Sequence, residues 1–94
     1  MSIKEAICRG KVRGLTKYCE IDGEEYYLQY ALKKSSEKYY TLFFKVPTSK
    51  MDVIEDYAEE ELSIFDTMEE AIEYFRSKNV NVDEFKPMKG VLPL

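Results

Sequence analysis

The side chains best equipped for chemistry in this sequence are rings, cations and carboxylates. Eight tyrosines and five phenylalanines occur in 94 residues, and three doublets, Tyr26-Tyr27, Tyr39-Tyr40 and Phe43-Phe44, crowd into Glu24 to Val46. Neighbouring side chains on an extended strand point to opposite faces, so each doublet sets one ring on either side of a sheet. Rings beside Lys and Arg can stack nucleic-acid bases, at about 1 to 3 kcal/mol per base, or anchor a protein partner. A second group is the acidic run Asp52, Glu55, Asp56, Glu59, Glu60 and Glu61, with no lysine interleaved. Like charges four apart on a helix repel by about 0.2 to 0.5 kcal/mol per pair. Such a run is solvated, packed beside the chain's own basic strands, or offered to a cationic partner.

Catalytic equipment is sparse. The chain has no histidine, the commonest general base and the usual partner of a Ser or Cys nucleophile. Cys8 and Cys19 form no CxxC pair, and no calcium-loop pattern occurs, so neither a metal nor a cofactor is expected. Without an export signal two thiols read as reduced, small and buried. These absences point away from an enzyme.

Composition sets the frame for these groups. With 45% hydrophobic and 34% charged residues, the chain is read as one globular domain over residues 1-94. No apolar run is long enough to span a bilayer, and the opening MSIKEAICRGK lacks the apolar segment of a signal peptide. A cytoplasmic protein without membrane contact is the expectation. The net charge of -4 is unevenly spread: residues 1 to 50 hold 10 Lys or Arg against 6 Asp or Glu, and residues 51 to 94 hold 4 against 12. Such polarity can steer a charged partner or let the two halves pair with each other.

The elements that must position these groups follow from turn and periodicity signals. Asp22-Gly23 between alternating segments favours a two-residue hairpin pairing Ile21 with Glu24, Cys19 with Tyr26, Lys17 with Leu28 and Leu15 with Tyr30. An odd loop at KKSSEK brings Tyr40, Leu42, Phe44 and Val46 beside Leu28 and Tyr30, whereas an even loop brings Thr41 and Lys45 inside. Burial arguments favour the odd loop. Upstream, a turn at Arg13-Gly14 sets Cys8 opposite Cys19. Downstream, Met68, Ala71, Ile72 and Phe75 mark an amphipathic helix from Thr67 to Lys78, opened by a T-x-x-E capping box and closed by Asn79. Leu62 to Phe65 reads as a short strand, and Val80, Val82 and Phe85 can pack back on the helix.

The expected fold is therefore α+β: an antiparallel β-meander of about four strands with the C-terminal helix on one face and a second short helix near Met51 to Glu60. Its outer face is expected to carry Arg9, Lys11, Tyr18, Tyr27, Tyr39, Phe43 and Lys45 as a partner-binding surface, with Asp52, Glu55, Asp56, Glu59 and Glu60 as a second one. The expected function is a non-enzymatic binding or adaptor module that holds a protein partner or a second copy of itself. Nucleic acid on the basic, aromatic face is one rival, though overall acidity opposes it. An immunity-type inhibitor, with carboxylates set against a cationic toxin site, is the other.

Overall fold

The structure, a computed structural model, describes residues 3–53 and 58–87, with Met51 described by its backbone only. Two left-handed turns organise it. Asp22 (φ 52) and Gly23 (φ 81) form the two-residue hairpin loop between β1 (Arg13–Ile21) and β2 (Glu24–Ser35). Positive φ at both central residues is what a type I′ turn requires, and Asp-Gly supplies it at low cost. The register is the one expected, Cys19 opposite Tyr26 and Leu15 opposite Tyr30.

Ser36 (φ 52) and Glu37 (φ 65) make the second such turn, leading into β3 (Lys38–Pro47). This loop is even, which corrects the odd loop favoured by the sequence. Leu28 lies opposite Lys45, Tyr30 opposite Phe43, and Leu32 opposite Thr41. The competing registers were separated by one residue, and both parities of YYTLFFKV are apolar enough to face a core. The twist of a two-residue primed turn matches the strand twist, and that local preference decides the pairing.

The last meander strand is β4 (Glu59–Phe65), antiparallel to β3, and a two-residue β5 (Lys86–Pro87) pairs with the far side of β1. The five-stranded antiparallel sheet runs β4-β3-β2-β1-β5. Proline in β5 is tolerable because that strand is an edge.

The segment before β1 is a helix, not a strand. Ile3, Ala6 and Ile7 share one helical face in α1 (Ile3–Cys8), and Ala6 and Ile7 are buried. Gly10 (φ 81) ends it in a Schellman closure: the Lys11 amide donates to the Ala6 carbonyl (3.1 Å) and the Gly10 amide to the Ile7 carbonyl (2.9 Å). Cys8 is thus exposed on a helix and Cys19 half-buried on a strand, and the proposed Cys8–Cys19 rung does not form.

The C-terminal helix, α2 (Met68–Arg76), is built as its sequence dictates. The Thr67 hydroxyl accepts from the Glu70 amide (3.2 Å) and donates to the Glu70 carboxylate (3.1 Å). Asn79 (φ 62) closes the far end, with the Val80 amide returning to the Phe75 carbonyl (3.0 Å). Met68, Ala71 and Phe75 face the sheet. Phe75 sits edge-on to Tyr30 and Phe85 at centroid distances of 6.3 and 5.0 Å, each pair contributing about 0.5 to 1.5 kcal/mol beyond area burial. Ile7, Leu28, Leu32, Val80 and Val82 complete this core, so the segment after α2 packs back as expected.

A second correction concerns Met51 to Glu60. Thr48–Val53 is a 3-10 segment kinked at Lys50, and Glu59 and Glu60 already belong to β4; the rest of the expected helix lies outside the described residues.

Candidate protein-contact face

Residue parity divides the sheet into two unlike surfaces. The side toward the helices carries Leu15, Lys17, Cys19, Tyr26, Leu28, Tyr30, Tyr39, Thr41, Phe43, Lys45, Glu59, Glu61 and Phe65. The outer side carries Thr16, Tyr18, Tyr27, Gln29, Ala31, Lys33, Tyr40, Leu42, Phe44, Val46, Glu60, Leu62 and Ile64.

On the outer side a ring ladder crosses three strands. Tyr18 meets Tyr27 edge-on at 5.5 Å, and Tyr27 meets Phe44 at 6.3 Å. Burial, with a smaller contribution from the neighbouring Tyr18, raises the Tyr27 hydroxyl above its ordinary pKa, so it stays neutral. Beyond Phe44 the ladder continues with Leu42 opposite Leu62 and Tyr40 opposite Ile64. The middle of the band is packed, with Leu42 and Val46 almost fully buried, while its two ends stand open: Tyr18 is 62% exposed, Leu62 51% and Ile64 60%. A single exposed Tyr18 needs no explanation, but Leu62 and Ile64 lie two residues apart on the same face of β4 and together form an exposed apolar spot.

The band terminates on an edge strand. Among the described residues nothing pairs with the outer side of β4. Glu59, Glu60, Glu61, Leu62 and Ile64 are all exposed along it, and no described residue pairs with the outward row of backbone groups.

Side chains expected on the outer face are distributed otherwise. Tyr18 and Tyr27 are there. Tyr39, Phe43 and Lys45 face the helices, because the even turn reverses the parity of β3. Arg9 and Lys11 lie in the connection after α1, off the sheet. The helix-side lysines instead lie over rings: Lys45 Nζ stands 4.8 Å from the Tyr26 centroid and Lys78 Nζ 4.4 Å from that of Phe43. These contacts let long side chains stay at the surface while their stems cover apolar area.

The acidic run is likewise divided. Asp52 is exposed in the 3-10 segment, and Glu55 and Asp56 lie outside the described residues. Glu59 and Glu60 point to opposite faces of β4, the former opposite Lys45 and the latter opposite Phe44. Glu61, omitted from the expected site, is structural: it accepts the Tyr74 hydroxyl and lies 3.7 Å from Lys78 Nζ, tying β4 to α2. Exposed Leu62 and Ile64 were not among the expected contact residues, although the alternation in Glu-Leu-Ser-Ile signals a strand with one apolar face.

Clefts lined by described residues flank α2. One, of about 640 Å³, is lined by Lys4, Arg76 and Asn79 among others, and one of about 500 Å³ is lined by Phe65, Glu69, Glu70, Glu73 and Tyr74. Neither lining contains a Ser, Thr or Cys nucleophile. Among the described residues no group of three or more His, Cys, Asp or Glu side chains could hold a metal ion, and no helix is long and apolar enough to cross a membrane. No protein-family model matches the chain, and neither curated proteins nor solved structures provide a match.

Proposed function

We propose that the chain is a non-enzymatic binding module whose contact surface is the outer sheet face ending at the β4 edge, and that its partner is a protein. The observation that carries this reading is the coincidence of exposed Leu62 and Ile64 with a strand edge that no described residue pairs, at the end of an apolar band. Backbone groups on an open edge supply affinity, and alternate side chains on the same strand supply selectivity.

The rival readings draw less support. Base stacking needs cations among the rings, and here Lys45 lies on the face opposite Tyr18 and Tyr27, while the outer-face lysines Lys33 and Lys38 sit at the far end of the strands, Lys38 paired with Asp66. An inhibitor presenting a carboxylate block needs those groups to converge, whereas Glu59 and Glu60 diverge.

Site-specific photocrosslinking in cells tests the proposal. A photoreactive phenylalanine at position 18, 62 or 64 should give protein adducts, and one at exposed Glu69 on α2 should not. Equal adducts at position 69, or adducts removed by nuclease, would overturn it.

A further inference from the structure

The β4 sequence is self-complementary in one pairing mode. Copies related by a two-fold axis normal to the sheet pair antiparallel, with the axis on a single residue. Centred on Leu62, the pairing sets Glu59 opposite Phe65, Glu60 opposite Ile64 and Glu61 opposite Ser63, with Leu62 against its own copy. No carboxylate then faces a carboxylate. Moving the axis to Glu61 opposes that residue to itself, and moving it to Ser63 opposes Glu60 to Asp66. Like charges directly opposed across strands are destabilising, so charge disfavours the Glu61 and Ser63 axes. An axis on Ile64 opposes no carboxylates but pairs only residues 63–65 of each strand, whereas the Leu62 axis pairs the whole of β4. Parallel pairing in register stacks all three glutamates on their copies.

We propose that the chain forms a homodimer through antiparallel pairing of β4 with β4 of a second copy, centred on Leu62. This rests on the reading of the outer face as a protein-contact surface and specifies the partner. The axis keeps both outer faces on one side, so the two five-stranded sheets become one and the exposed Leu62 side chains cover each other. Ile64 packs along the aliphatic stem of the opposite Glu60. A single strand pair buries less than the roughly 1,200 Å² of standard interfaces, so the dimer is a weak, reversible one.

Two measurements test this. Sedimentation equilibrium from about 1 μM to about 1 mM should show a monomer–dimer equilibrium, weakened about tenfold or more by Leu62→Lys and unchanged by Lys86→Ala on β5 at the opposite edge of the sheet. In a Cys8→Ser, Cys19→Ser background, copper-phenanthroline oxidation should link Leu62→Cys chains about tenfold faster than Ile64→Cys chains, because only residues at the axis face their own copy within disulfide reach. The oxidation test stands even if the lysine variant fails to fold. A monomer at every concentration, or equal linking at positions 62 and 64, overturns the dimer. If photocrosslinks to other proteins still cluster at 18, 62 and 64, the protein-contact reading survives that result; if those crosslinks vanish as well, it falls too.

Discussion

The Tyr74 hydroxyl on α2 donates its hydrogen bond to the Glu61 carboxylate on β4, and this contact joins the helix to an otherwise exposed edge strand. Burial, then the hydrogen bond to an anion, raises the Tyr74 pKa strongly above its ordinary value of 10.0. The folded protein therefore keeps a proton that the unfolded chain releases near pH 10.0. Stability from this contact is complete below that pH and falls as pH rises above it. Thermal melts of the wild type should decline through the alkaline range. Tyr74→Phe should flatten the decline, leaving the part due to Tyr26, Tyr27 and Tyr30, raised chiefly by burial, and to Lys38, raised chiefly by its hydrogen bond to Asp66. An unchanged slope would show that Tyr74 titrates normally.

Thr41 is fully buried on the helix-side face, and its hydroxyl has no hydrogen-bond partner among the described residues. An unsatisfied buried hydroxyl costs about 1 to 3 kcal/mol. Thr41→Val keeps the shape and removes the polar atom, so it should stabilise by about 1 to 2 kcal/mol. Urea denaturation should show a higher midpoint at an unchanged slope.

The Ser36-Glu37 turn holds two non-glycine residues at positive φ. The paired substitution Ser36→Asn and Glu37→Gly installs the residues that a type I′ turn prefers, and should stabilise by about 1 kcal/mol. For a domain of this size that corresponds to a rise of roughly 4 to 8 °C in Tm. A lower Tm would show that the loop has another conformation.

Salt separates a β4 dimer from nucleic-acid binding. Pairing gathers the Glu59, Glu60 and Glu61 carboxylates of both copies, and raising ionic strength from about 0.05 to about 0.5 M screens their repulsion and should tighten the dimer. Binding to single-stranded oligonucleotides would weaken steeply over the same range. Sedimentation and fluorescence anisotropy in matched buffers give the two responses.

Local signals carried much of this architecture. Asp22-Gly23 specified a hairpin and its register, and the Thr67 cap, the Met68-Ala71-Phe75 stripe and Asn79 specified α2. What stayed hidden was tertiary or degenerate. In β3 either parity offers rings to the core, so hydrophobicity cannot rank the registers, and the turn decides. In α1 the stripe is only Ile3, Ala6 and Ile7, and Gly10, the closing signal, was overlooked. β5 exists only because β1 lies beside it.

The site was less legible for the same reason. Tyr18 and Tyr27 depend only on the Asp22-Gly23 register and were placed correctly, while Tyr39, Phe43 and Lys45 inherited the β3 parity error. Leu62 and Ile64 enter the proposed surface because β4 is an edge, and edge position is a property of the whole sheet.

Hydrogen exchange followed along β4 at two protein concentrations tests the central claim most directly. Self-pairing predicts that amides within residues 59–65 exchange more slowly in the concentrated sample, while those of α2 are unaffected. Exchange along β4 that is the same at both concentrations, or protection appearing on α2 instead, would contradict it.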